Sequence, residues 1–340
     1  LTQPLRRACS SRSVTTVGSM RFSVLDRAAA TPAETETETL RGVAEHARYV
    51  ESLGFERFTV AEHHGVDGIP SGQPALLAAY AAAATQRLRV GTAGIMVPGH
   101  PPFLIAEQVA TLAALYPGRV DIGLGNSVGF TAPVRTALRQ DSKARERYGE
   151  DLGELLGYLR GDAVVTARPC LEGEVGLFLL AGYASARTAG RLGLGVMLGG
   201  PVGTQLKAAQ TYRANFQPSE FCPAPHVISS LNIAVAETER KAADLLAPEA
   251  YAQAMAQSTG RFSPLVPAAD LDLAAMTSQQ RARMRDIQAH HVVGTPRTVG
   301  RELAAIASQL GVEEFLVTGD IPDRAGRAES ERLLVHQLAH

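Results

Sequence analysis

Apolar and polar positions alternate along this chain with two different periods. Arg21–Asp26 (RFSVLD) is a short apolar run with polar ends, the pattern of a buried strand. Leu40, Val43, Ala44, Ala47, Val50 and Leu53 then recur at helical spacing, and Gly54 stands where a helix C-cap belongs. Residues 57–61 predict a second strand, the Ala-rich stretch 73–86 a helix, and residues 88–93 a third strand. Ile105, Val109, Leu112 and Leu115 mark the next helix, which Pro117-Gly118 stops, and Val120, Ile122 and Leu124 mark the strand after it. Tyr148, Leu152, Leu155 and Leu159 form a further helical stripe. Strand signals follow at Gly176–Ala181, at 194–198 and at 227–236. Val299, Leu303, Ile306 and Leu310 give a helix ended by Gly311, then a strand at 315–318 and a terminal helix over 328–338. Eight strands separated mostly by helices predict an α/β fold of the (β/α)8 TIM-barrel type. An open doubly wound sheet is the competitor, because alternation does not establish closure. Residues 248–291 carry no strand signal and are expected to form an inserted helical or loop excursion before the last βα unit.

Composition narrows the function classes. The 33 Lys and Arg against 34 Asp and Glu leave a net charge of −1, which removes the electrostatic reason to expect nucleic acid or an anionic membrane as partner. With 45% hydrophobic and 20% charged residues the chain has ample material for a core, and no apolar run approaches the roughly 18 residues of a membrane span. Cys9, Cys170 and Cys222 are odd in number and far apart, so neither a disulfide framework nor a zinc site is expected, and a reducing cytoplasm fits. Residues 1–19 hold Arg6, Arg7 and Arg12, no acid and no apolar segment, and read as a disordered N-terminal extension before one barrel domain over 20–340.

Four motifs carry candidate chemistry. Ala61-Glu62-His63-His64-Gly65 follows a strand directly, where side chains alternate, so only one histidine can face a barrel mouth. HExxH spacing is absent, and no metal is expected there. Residues 125–129 match GxSxG, but Phe130-Thr131-Ala132-Pro133 follows instead of an immediate helix, so Ser127 is read as a chance match to the hydrolase motif. Gly123-Leu124-Gly125 and Gly193-Leu194-Gly195 miss the dinucleotide fingerprint by one residue, at Gly129 and Gly199. Leu180, Ala181, Gly182, Tyr183, Ala184 and Ser185 run from a buried strand into a helix, a place suited either to a phosphate or to an ordinary helix start.

Taken in order, LGFERFTVAEHHG, RVGTAGIMVPGHPPFLIAEQVATLAALYPGRVDIGLG, RYGEDLGELLGYL and LFLLAGYASARTAGRLGL resemble the bacterial luciferase-like flavin-dependent monooxygenases, which are (β/α)8 barrels. The resemblance implies reduced FMN at the C-terminal barrel face. It places the flavin ring beside a non-proline cis peptide at Ala93-Gly94 and the phosphate around Ala181–Ser185 with help from Arg147, with Gly125, Asn126 and Leu180 as further cofactor-binding residues. It further implies His63 as the catalytic group, Glu62 as the orienter of a ring and His64 turned away to pack. A separate NAD(P)H:flavin reductase would supply FMNH2. O2 would then form a flavin C4a-(hydro)peroxide that oxygenates a small organic substrate, for which an aldehyde, a sulfonate and a polyketide of antibiotic biosynthesis are all open. Relatives pair as homodimers through the helices near 73–86 and 102–115. Two residues depart from the luciferase pattern, Asn126 in place of an arginine and Tyr183 in place of a serine, and the chain has no Trp for the flavin to stack on. The alternatives are an F420-dependent oxidoreductase on the same barrel and a non-catalytic flavin-binding barrel.

Overall fold

Strands covered by helices on one side and packed against one another on the other read as nearly continuous apolar runs, and that is how the sheet is built. The computed structural model describes residues 20–338; the expected N-terminal extension, residues 1–19, lies outside them. In chain order the elements begin β1 (Arg21–Asp26), α1 (Glu36–Leu53), β2 (Arg57–Val60), α2 (Pro74–Ala83), β3 (Arg89–Met96), α3 (Pro102–Leu115) and β4 (Val120–Gly125). They continue with α4 (Ala132–Ala137), α5 (Tyr148–Arg160), β5 (Gly176–Ala181), α6 (Tyr183–Leu192), β6 (Gly195–Leu198) and α7 (Val202–Asn215). The last are β7 (Val227–Val235), α8 (Glu239–Thr259), α9 (Ser278–Gln288), β8 (Val292–Gly294), α10 (Pro296–Leu310), β9 (Glu314–Thr318) and α11 (Arg324–Leu338).

All pairings are parallel, and they close. β1 pairs with both β2 and β9, and β6 pairs with β7, so β1 to β6, β7 and β9 form an eight-stranded barrel. The (β/α)8 expectation holds and the open sheet falls. The inserted excursion also holds, as α8, a 3-10 turn at Ala268–Asp270 and α9. Three elements escaped the periodicity. β8 is a three-residue strand that pairs with the outer end of β7, too short to show a period. α4 buries none of its six residues, and α7 buries Gln205, Ala208, Ala209 and Tyr212, a face with no aliphatic stripe. Among the described residues no helix is long and apolar enough to cross a membrane.

The barrel interior is layered along its axis. At the N-terminal floor Arg57 donates to Glu314 and Asp121 at 2.6 Å each, Arg89 donates to Asp121, and Ser23 donates to Glu314. Burial would push the Glu314 carboxyl up, but the His226 ring 3.5 Å away and the Arg57 guanidinium outweigh it and hold it at about 2. Above the floor Ala93, Phe178, Met197, Ile228 and Leu316 form an apolar layer, with Leu25 and Leu180 against it. The mouth lies above that layer, at the C-terminal strand ends, where barrel active sites form.

Candidate active site

A cavity of about 320 Å³ opens at the ends of β2, β3, β4 and β5. Ala61, His63, His64, Ala93, Gly94, Gly125, Leu180 and residues 127–130 line it. Its inner wall is backbone in close approach: a Cβ on Gly94 would lie 2.4 Å from the Gly123 carbonyl oxygen, so only glycine fits there. The Ala93-Gly94 peptide is cis, as the resemblance implied. One flank is the segment after β4, where Gly129 donates to Gln140 and accepts from Arg135.

His63 follows β2, and its backbone N–H donates to the Ser71 carbonyl at 3.0 Å. Its Nδ1 is buried and has no hydrogen-bond partner. Burial, reinforced by the nearby Arg27 charge and opposed by Glu62, lowers its pKa to about 4. The ring is therefore neutral at pH 7, with an unspent nitrogen beside the cavity.

Glu62 also lines the cavity, but its carboxylate is taken up by its neighbours. Its Oε1 meets His64 Nε2 at 2.6 Å and His100 Nε2 at 2.8 Å, and its Oε2 accepts the Met96 N–H at 2.8 Å. Burial would raise the Glu62 pKa, but the bonds from His100 and His64 outweigh it and hold it below the usual carboxylate range. An ionised carboxylate only accepts, so both imidazoles donate through Nε2. The carboxylate thus clamps the end of β2 to the end of β3. His64 accordingly does more than pack: it is one arm of this clamp and also borders the cavity. His100 was not foreseen. It stands 38 positions from Glu62 in the chain, just past a 3-10 turn at Val97–Gly99, and its one local signal is a lone polar ring in the apolar run from Ile95 to Leu104. Glu62, His64 and His100 are also residue types that hold metals, with ligand atoms within 4.8 Å of one another. Donors around a tetrahedral ion with bonds near 2.0 Å are separated by about 3.3 Å. The distances of 2.6 and 2.8 Å are those of direct hydrogen bonds.

The remaining predicted residues spread around the rim. Leu180 lines the cavity, whereas Ala181, Gly182, Tyr183, Ala184, Ser185, Asn126 and Arg147 are not in its lining. Gly182 begins α6 without a side-chain cap, so side chains leave the first N–H groups of that helix unclaimed. Arg147 sits at the start of α5, where its Nη1 meets Asp141 at 2.8 Å and both groups are exposed. Ser127 lines the cavity, but α4 begins only at Ala132 and the Ser127 hydroxyl has no hydrogen-bond partner among the described residues. The strand-to-helix elbow of a serine hydrolase is not formed.

Comparison with known proteins identifies the family and agrees with the fold. The model of the luciferase-like monooxygenase family matches residues 20–314. A luciferase-like monooxygenase of Escherichia coli is 30% identical over 321 residues, covering 92% of this chain and 95% of that protein. The crystal structure of apo-MsnO8 is 32% identical, with a TM-score of 0.82 and coverage of 94% and 98%. The oxygenating constituent of 3,6-diketocamphane monooxygenase from Pseudomonas putida, solved with FMN, shares the fold alone, at 16% identity and a TM-score of 0.71 over 94% and 98% of the two chains.

Proposed function

Because this chain belongs to the luciferase-like monooxygenase family, we propose that it oxygenates a small organic substrate with reduced FMN and O2, the reduced flavin coming from a separate NAD(P)H:flavin reductase. Bound reduced flavin would supply the electrons that activate O2. The residues present suit such a group. Ala93, Gly94, Gly125 and Leu180 offer a flat wall of backbone and apolar side chain for a ring system. The uncapped start of α6, at Gly182, Tyr183, Ala184 and Ser185, offers N–H groups and a helix dipole to a phosphate. With Asn126 in place of an arginine and Arg147 engaged by Asp141, the phosphate meets fewer free guanidinium groups, so binding is expected to be weak and reversible.

The observation that carries the reading is the buried, unpartnered Nδ1 of His63 at the cavity wall. A neutral imidazole there can hold or pass one proton at that atom. The Glu62 clamp keeps the ends of β2 and β3, and with them the cavity wall, in register.

Anaerobic titration of the purified chain tests the proposal. It is expected to be nearly colourless and to bind reduced FMN more tightly than oxidised FMN. With a flavin reductase present it should consume O2 in the presence of its substrate. Stoichiometric yellow flavin surviving gel filtration contradicts the weak, reversible mode. Reduction of F420 without FMNH2-dependent O2 uptake points to the deazaflavin rival, and a retained flavin with no turnover points to a binding barrel.

A further inference from the structure

One phenyl ring stands in the lining of the cavity and yet stays largely in water. Phe130 lines the cavity with Val66, Met96, Val128 and Leu180, and it is 58% exposed. The chain on both sides of it is fixed. The Gly129 N–H donates to Gln140 at 2.8 Å, and the Gly129 carbonyl accepts from Arg135 at 2.9 Å. Thr131 caps α4 by accepting from the Val134 N–H. Val134 in turn seats α4 against the loop after β2, where a Cβ on Gly65 would lie 2.8 Å from it. Phe130 is therefore held between two anchored residues, where the loops after β2 and β4 meet.

A single exposed apolar residue is ordinary on a protein surface, and an apolar residue just before an N-cap commonly has a local task. It packs against the fourth residue of the helix and fixes the angle at which the chain enters. In α4 that fourth residue is Arg135, whose guanidinium turns back to Gly129. An apolar staple is therefore not formed, and no aromatic ring pairs with Phe130 among the described residues. The fold leaves this ring unspent at the edge of a cavity whose wall suits a flat occupant. Ala93, Gly94 and Gly125 bring backbone to that wall and Leu180 an aliphatic surface. Two rings in offset or edge contact gain more than the area they bury. The chain has no Trp, and Phe130 is the one phenyl or indole group in the lining.

We propose that Phe130 is a binding residue for the flavin, its phenyl group packing against the ring system that enters the cavity and covering it from the rim. This rests on the reading that a flavin ring occupies this cavity. Reduced lumiflavin, the same ring system without the ribityl phosphate, tests it by anaerobic calorimetry on the purified full chain. Phe130→Ala is expected to weaken lumiflavin binding about tenfold, the scale of one aromatic pair with its buried area, and to leave the far-UV spectrum unchanged because the residue is exposed. Phe130→Trp should bind at least as tightly as the parent. It also gives the chain its one tryptophan, whose emission should fall in step with saturation as the flavin ring settles beside it. An unaltered affinity in Phe130→Ala overturns the assignment. So does tryptophan emission that stays constant while calorimetry shows lumiflavin bound, or a parent chain that takes up no lumiflavin. The two readings fail separately. Lumiflavin held through Phe130 without any FMNH2-dependent O2 uptake refutes oxygenation alone. O2 uptake by a chain whose lumiflavin affinity ignores Phe130→Ala refutes the role of Phe130 alone.

Discussion

His63 combines two properties that a structural histidine rarely has together. A buried ring nitrogen without a partner forfeits a hydrogen bond, and a ring neutral above about pH 4 contributes no charge to any ion pair at pH 7. Both make sense for a group whose partner arrives with the reactants. His63→Ala is expected to lower turnover about 100-fold, the scale of a lost general acid–base group, while leaving reduced-FMN affinity and the far-UV spectrum close to those of the parent. Because the ring stays neutral across that range, His63 should add no inflection to kcat/KM between about pH 5 and 8, where an unperturbed histidine would titrate. A step near pH 6.5 that disappears in His63→Ala would contradict the depressed pKa. If His64→Ala abolished turnover and His63→Ala did not, the roles of the two rings would have to be exchanged.

At the scale of elements, the first strand, its helix and the last helix are joined through one buried imidazole. His46 on α1 places Nδ1 2.7 Å from Asp26 at the end of β1 and Nε2 2.7 Å from Glu331 on α11. Burial alone would lower its pKa, and Arg327 pushes the same way. The Glu331 charge and the bonds to Asp26 and Glu331 outweigh both, and the net shift is upward. A histidine whose folded pKa is raised contributes fully below its unfolded value, near pH 6.5, and that contribution is lost as pH rises through the folded value. Asp26 shifts the opposite way, well below the carboxylate range, so its contribution is lost only in acid. Urea unfolding should therefore show stability falling from about pH 6 to pH 9. His46→Ala should cost about 3–5 kcal/mol at the lower pH, the scale of breaking a buried ion pair, and clearly less at the higher one. An equal cost at both would show that the ring is neutral in the folded state throughout.

At the scale of the molecule, the outer faces of α2 and α3 leave large apolar side chains in water. Leu76 and Leu115 are 68% and 62% exposed, and Tyr80 and Leu104 are exposed beside them. Leu76 and Tyr80 lie one turn apart and Leu104 and Leu115 three turns apart, so each pair lies along one side of its helix. Small alanines elsewhere on α2 permit close helix approach. We propose that these helices form a homodimer interface. Light scattering at micromolar concentration should then give twice the 36.0 kDa chain mass, and Leu76→Arg combined with Leu104→Arg should return the chain mass with the fold intact. A parent protein that scatters as a single chain rules this interface out.

What the linear order of residues determined by itself was the succession of elements and one wall of the site. Strand and helix periods are local, so β1 to β7 and β9 are legible from neighbouring positions, and Gly94, Gly125 and the AEHHG block travel with those strands. Closure was not legible, because it rests on β1 meeting β9 and β6 meeting β7, pairings that no local period encodes. Tertiary structure alone decided which groups share the mouth. His100 reaches Glu62 across 38 positions, and Arg27 meets Glu249 across 222, from an insertion that carries no motif. It also decided that Arg147 is held by Asp141 while His63 keeps a free nitrogen. Residue type and spacing state what a side chain is able to do. Burial and the charges folded around it decide which proton it keeps and which partner it has left to take.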